Sequence, residues 1–260
     1  MALLTRNIES LNRSLEYART AGVISDASLT LIDNSTDSQI RDGLAGLLDE
    51  CWCQPDNKPQ LVATDNNIGY GMAHNLAIIA SKMDFHLVLN PDVLFDEQAL
   101  NNAVQFMSAN RDVALLTPYA ANNEGNREYL NKRYPGILVL LIRGFAPAPV
   151  KKIFMNRIAH YEMQELEPDK VHYDIQLASG CFMLFRTTQL QQLGGFSDRF
   201  FLYFEDYDLS MRTRERGSIA YVPGVRIVHY GGNAARKGIR HVFLFIRSAI
   251  TFFSLHGWKW

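Results

Sequence analysis

The stretch "HLVLNPDV" (residues 86–93) decides how this chain is read. His86 to Leu89 form a short aliphatic run, the pattern of a buried strand. Pro91 has no amide hydrogen for a sheet ladder, so the strand stops there. Asn90, Pro91 and Asp92 are all turn formers, and a simple turn is one explanation. The other is a carboxylate set at a strand exit to meet a ligand.

Working outward, apolar runs at 2–5, 28–35, 60–64 and 113–118 read as further strands. Helical spacing marks 7–22, 38–50 and a segment near 96–109, while 65–82 is a polar, glycine-bearing loop running into a helix. Strands alternating with helices at this cadence predict an α/β protein with a mostly parallel sheet flanked by helices. Ligands of such sheets sit beyond the carboxyl ends of the strands. Asp33, the Gly69 loop and Asp92 all follow strand ends and converge on one rim, which favours the ligand reading of Asp92.

Residues 119–175 are less regular. An apolar run at 131–152, flanked by Arg133, Arg143, Lys151 and Lys152, predicts a helical insertion or lid. A strand, a helix and a Gly-Gly turn follow at 175–196. Phe200 to Phe204 lead into Glu205, Asp206 and Asp208 and a helix stopped by Gly217. "IAYVP" (219–223) and "VRIVHY" (225–230) read as two strands, the second carrying His229 to its end. A basic, aromatic helix occupies 236–260.

A net charge of −1 over 260 residues gives no global electrostatic case for nucleic acid. Cys51, Cys53 and Cys181 suggest neither a disulfide framework nor a zinc site, and reduced thiols in a cytosolic protein are expected. Arg6, Glu9 and Arg13 interrupt the region where a signal peptide needs its apolar core. No run approaches about 18 apolar residues, so no spanning helix is expected.

Several polar side chains carry two readings. Asp33 can accept from a base N–H or a ribose hydroxyl, or "DNSTD" (33–37) can cap the following helix. Gly69 and Gly71 let backbone approach a ligand closely, though their spacing is neither a dinucleotide fingerprint nor a P-loop. Asp92 can give one oxygen to a divalent cation that neutralises a diphosphate, in the oxygen-rich sphere of Mg2+ or Mn2+. An imidazole ligand from His229 would tilt the choice toward Mn2+; a structural strand-end histidine is the alternative. Helical residues two apart point about 200° from each other, so Asp206 and Asp208 cannot share a target. One of them is a candidate general base for an acceptor hydroxyl, against an acidic first turn on the helix dipole. The aromatic run before them is either core or a sugar platform.

In order along the chain, "LLTRN" (3–7), "LIDNSTD" (31–37), "NNIGYGMAHN" (66–75), "LVLNPDV" (87–93), "SGCFMLFR" (179–186), "GGFSDRFFLYFEDYDLSMRTRERG" (194–217) and "VHYGG" (228–232) resemble the family 2 glycosyltransferases of the GT-A fold. The bacterial rhamnosyltransferase-like branch is the most similar. The resemblance implies a Rossmann-like GT-A domain over 1–235: a nucleotide-binding half (1–118), an insertion or lid (119–175) and an acceptor and catalytic half (176–235). It implies inverting transfer of a sugar from a dTDP- or UDP-sugar, dTDP-L-rhamnose first, to a glycan or lipid-linked acceptor in bacterial surface polysaccharide synthesis. Asp206 would be the catalytic base, with Glu205 supporting. Asp92 and His229 would hold Mn2+ or Mg2+. Thr5, Asp33, Asn67, Gly69, Asn75 and Asn90 would contact the nucleotide, and Arg133 and Arg212 the acceptor or diphosphate. No covalent intermediate is implied.

Two positions depart from the family pattern. Asn90 replaces the first acid of the D-x-D-like motif, leaving one strong metal carboxylate, and the first strand starts almost at Met1, which puts the role of Thr5 in doubt. The tail can lie in a membrane interface or pack on the domain, giving a cytoplasmic protein with peripheral contact to the inner membrane face as one expectation; a homo-oligomer is left open. The rivals are a nucleotidyltransferase and a nucleotide-sugar-binding protein without turnover.

Overall fold

The opening stretch forms strand β3 (Phe85–Leu89), the edge of a six-stranded sheet ordered β3-β7-β5-β8-β4, with β6 added beside β5. The computed structural model describes residues 1–54, 57–231 and 238–260. Gly232 of "VHYGG", Arg236 and Lys237 of the tail, and the boundary drawn at 235 lie outside the described residues. The other strands of this sheet are β4 (Val93–Phe95), β5 (Val113–Ala121), β6 (Arg127–Glu128), β7 (Phe182–Arg186) and β8 (Ser218–His229). β1 (Thr30–Asp33) and β2 (Gln60–Ala63) pair in parallel as a separate two-stranded sheet.

The α/β class holds, but the large sheet is mixed. Among the described residues of this sheet, only β5 and β8 run parallel; β7 is antiparallel to β3 and β5, and β4 to β8. An apolar run marks a strand without giving its direction. The two strands expected at 219–230 are one strand with an irregularity: the register jumps from Pro118↔Val222 to Tyr119↔Arg226, so Pro223, Gly224 and Val225 have no partner on β5, and proline and glycine are tolerated there.

Residues 2–5 are not a strand. They open α1 (Ala2–Thr20), and Thr5 Oγ1 donates to Met1 O within its first turn. Leu4 and Ile8, one turn apart, pack together with Leu47 and Leu48 of α2 (Ser38–Cys51), which tertiary contact decides for helix. Thr5 is therefore not at a strand's nucleotide-facing end. α2 starts where Asp37 accepts from Gln39 N at 2.9 Å, so Asp37 is the capping member of "DNSTD".

Side-chain alternation places the sheet between two helical layers. Phe182 and Leu184 of β7 join Leu11 and Leu15 of α1 and Leu100 and Met107 of α4 (Ala99–Ala109) on one face. Met183 and Phe185 join Ile78 of α3 (Tyr70–Ala80) and Leu209 of α9 (Glu205–Thr213) on the other. Burial on both faces explains why β5 and β7 read as continuous apolar runs. A third cluster joins the insertion to the tail: Val139 and Leu140 of α5 (Ile137–Phe145) and Tyr161 of α7 (Met155–Tyr161) pack with Phe200, Phe204, and Phe252 of α10 (Ile239–His256). Phe200 and Phe204 are thus core, not a sugar platform.

Two glycines expected to approach a ligand instead approach the protein. A Cβ on Gly69 would lie 2.5 Å from Phe201 O, and one on Gly71 2.6 Å from Phe196 Cβ. Asn75 serves the same junction. Its buried amide donates to Phe196 O and accepts from Phe196 N, both at 2.8 Å, tying α3 to the turn after α8 (Thr187–Gln192). The Asn75 amide is thus engaged with the fold and not with a nucleotide. Asn75→Ala leaves both Phe196 backbone groups unmet and is expected to cost about 2–4 kcal/mol in urea unfolding while nucleotide affinity stays unchanged.

Candidate active site

Asp206 sits in the first turn of α9 and is reached by two backbone donors. Gly180 N donates to Oδ2 and Tyr207 N to Oδ1, both at 2.9 Å. Burial outweighs these bonds and raises the carboxyl to about 6. Beside it Glu205 is buried, its Oε2 has no hydrogen-bond partner, and burial followed by the Asp206 charge raises it to about 8. Asp208 points elsewhere, as helical geometry requires. It accepts from Arg212 Nε at 2.8 Å and pairs with His256 Nε2 at 2.9 Å.

The approach to α9 is strained. Tyr203 and Phe204 both hold positive φ, 70° and 64°, where non-glycine residues cost roughly 1–3 kcal/mol each. Three contacts hold them there. Phe204 is buried against Phe252, Tyr203 Oη bonds His241 Nδ1 at 2.9 Å, and Ser248 Oγ donates to Leu202 O at 2.8 Å. All three come from α10.

Asp92 leaves β3 and enters β4. The β4–β8 register sets Val93 opposite His229, and Tyr230 N donates to Asp92 O at 2.8 Å. His229 Nε2 faces Asp92 Oδ1 at 3.7 Å, and that oxygen is buried without a hydrogen bond. A Cβ at Gly231 would lie 2.4 Å from His229 Nε2 and 3.2 Å from Asp92 Oδ2, so only glycine leaves this space open. On the far side of the ring, Nδ1 meets Glu128 Oε2 of β6 at 2.7 Å. Burial alone would lower His229, but the Glu128 hydrogen bond and the charges of Asp92 and Glu128 raise it. Among the described residues no three His, Cys, Asp or Glu side chains form a metal cage by themselves. Asp92 and His229 fit as two protein ligands whose remaining positions a diphosphate and water would fill.

Backbone bonds join these acids. Asn90 N donates to Cys181 O at 3.0 Å, one residue from the Gly180 N–H that holds Asp206. Tyr70 Oη donates to Gly180 O at 2.7 Å. Asn34 links the other end: its Nδ2 donates to Gly69 O, and its Oδ1 accepts from Thr64 Oγ1 and Ile68 N. Asp33, buried next to it, accepts from Ser35 N at 3.0 Å and from Arg41 at 3.4 Å. The Ser35 hydrogen bonds lead and, with Arg41, hold its carboxyl below the usual range against burial. Asn67 Oδ1 accepts from Gly69 N and shapes the loop.

Two arginines expected near the acceptor or diphosphate are engaged elsewhere. Arg212 donates to Asp208, Leu193 O and Gly195 O, clamping α9 to the Gly-Gly turn. Arg133 pairs with Glu165 and donates to His160 O inside the insertion. Glu128, Tyr70, Gly180 and Asn34 are site residues that sequence reasoning missed. For Gly180 a signal existed, since "SGC" directly precedes a strand.

Residues 39–243 match the family described as glycosyltransferase like family 2. Curated relatives include N-acetylglucosaminyl-diphospho-decaprenol L-rhamnosyltransferase of Mycobacterium tuberculosis, 27% identical over 192 residues, covering 68% of this chain and 61% of the relative. Rhamnosyltransferase WbbL of Escherichia coli is 23% identical over 187 residues, covering 67% and 66%. The chain spans less than two thirds of the length of these two relatives. The solved mannosyltransferase PcManGT of Pyrobaculum calidifontis, in complex with GDP-Man and Mn2+, superposes with a TM-score of 0.54 at 13% identity, covering 94% of this chain and 72% of that one. The match over most of the chain, on the GT-A fold, makes this protein a member of glycosyltransferase family 2.

Proposed function

We propose that the chain transfers a sugar with inversion from a nucleotide-diphosphate donor, with Asp206 as general base. The observation that carries this reading is the bonded path from Asp92 through Asn90, Cys181 and Gly180 to Asp206. It ties the half-buried Asp206 carboxylate to the strand exit that carries Asp92, which supports reading the two as donor-side and acceptor-side groups of one site. Dedicated rhamnosyltransferase relatives support L-rhamnose as the sugar and a glycan or lipid-linked acceptor. A dTDP-sugar is the first donor to assay and a UDP-sugar the second.

Each Asp206 oxygen accepts one backbone N–H and keeps a second lone-pair site for an acceptor hydroxyl. A carboxyl raised to about 6 is ionised at neutral pH yet basic enough to take that proton. Asp33 and the loop fixed by Asn34 provide acceptors for the base and ribose. A bound divalent cation would neutralise charge on the leaving diphosphate. Asp92 and His229 would hold it, and Glu128, by accepting from His229 Nδ1–H, would leave Nε2 bare on the open side.

Asp206→Asn is expected to lower kcat by roughly 10²–10⁴-fold with nucleotide affinity retained; unchanged turnover would remove the base assignment. Glu128→Ala is expected to weaken Mn2+ binding, read by electron paramagnetic resonance with dTDP or UDP present, by roughly 10–100-fold. Wild-type protein that binds neither nucleotide would sink the transferase reading itself. The raised carboxyls also set a pH dependence. Glu205 and Asp206 hold protons more tightly folded than unfolded, so they favour folding below about pH 4, and that contribution is lost as pH rises toward 8. Glu205→Gln should therefore melt progressively higher than wild type as pH rises from 5 to 8; a constant difference would contradict the buried pair.

A further inference from the structure

The chemistry above makes no use of the outer faces of α5 and α10. α10 is two-sided. Its inner stripe, Ser248, Phe252, Phe253 and His256, is fixed to the domain. Its outer stripe, Ile239, Phe243, Ile246 and Ile250, follows the spacing of a single helical face and is 88%, 67%, 47% and 51% exposed. α5 repeats the arrangement, with Val139, Leu140 and Ile142 buried and Leu138, Leu141 and Phe145 exposed. The start of α5 meets the segment that follows α10, where Ile137 N donates to Lys259 O. Trp258 and Trp260 are exposed beside that join. Of the 21 large hydrophobic residues exposed among the described residues, 13 lie within 137–160 and 238–260.

Charge says what such a face fits. The chain has 27 acidic residues, yet none falls in 137–160 or 238–260. Exposed cations do: Lys152, Arg157, Arg240, Arg247 and Lys259. A second copy docking the same face would set cation against cation. Apolar stripes, interfacial tryptophans and unopposed basic residues together match an anionic lipid surface. No helix of the described residues is long and apolar enough to cross a membrane, so the contact lies in the interface plane.

We propose that the α5–α10 face docks on an anionic phospholipid bilayer, apolar stripes at the headgroup–acyl boundary and basic side chains among the lipid phosphates. This does not depend on the chemistry assigned to Asp206. The test is co-sedimentation of the full chain with vesicles of phosphatidylcholine, with and without phosphatidylglycerol. Binding to the mixed vesicles, loss on pure phosphatidylcholine and weakening by salt are expected. Phe243→Ser/Ile246→Ser/Ile250→Ser should lower partitioning at least tenfold, and Arg240→Gln/Arg247→Gln roughly fivefold per charge. Unchanged melting curves for both variants would show that the fold is intact. Failure to bind mixed vesicles, or equal binding by wild type and variants, would overturn the proposal. So would a dimer in light scattering that the triple variant dissolves while vesicles remain unbound, since the face would then belong to a second copy.

Discussion

Two consecutive peptide units, at Gly180 and Cys181, carry the geometry of the candidate site. The Gly180 N–H holds Asp206, the Gly180 carbonyl takes the Tyr70 hydroxyl, and the Cys181 carbonyl takes the Asn90 N–H. Each bond contributes about 1 kcal/mol, and each buried group left unmet would cost about 1–3. Distances are tight as well: a Cβ at Gly180 would lie 3.2 Å from Tyr70 Oη and 3.4 Å from Asp206 Cβ. The buried Cys181 thiol reports the result. Burial pushes it up to about 12, and the charges of Asp92, Glu128 and Asp206 act in the same direction.

That concentration of carboxylates divides the candidate site in two. On the Asp206 side, burial favours protons on both carboxyls, those of Glu205 and Asp206. On the Asp92 side, His229 Nε2 faces an oxygen that has no hydrogen bond, and Glu128 holds the far side of the ring. Glu128 is itself well anchored. The preceding Arg127 lies over the rings of Tyr119, Tyr129 and Tyr221 and donates to Leu166 O at 2.8 Å. A two-residue strand can therefore present a carboxylate in one place.

How much of this is legible in the sequence depends on the kind of signal. Asp92 is legible because proline dates the end of its strand; helical periodicity separates Asp206 from Asp208 without choosing between them, and the choice of Asp206 rests on the family resemblance. Strand direction is not legible, since burial on both faces erases alternation, and the mixed sheet follows from long-range pairing. The run at 2–5 is too short to declare a period, and its packing on α2 decides for helix. "NNIGYGMAHN" places identical residue types in opposite roles: Asn67 shapes a loop, whereas Asn75 is buried against Phe196. Glu128 has no periodic context at all, and only the pairing of β5 with β6 brings it to His229.

The left-handed pair at Tyr203 and Phe204 has a consequence for the molecule's architecture. Neither residue can relax to an ordinary conformation without turning the start of α9, and with it the carboxylate that Gly180 grips. The restraint against relaxing comes from α10, through Phe252, His241 and Ser248. The C-terminal segment thus acts as the keystone that fixes the orientation of the Asp206 carboxylate, and it does so through two residues held at positive φ.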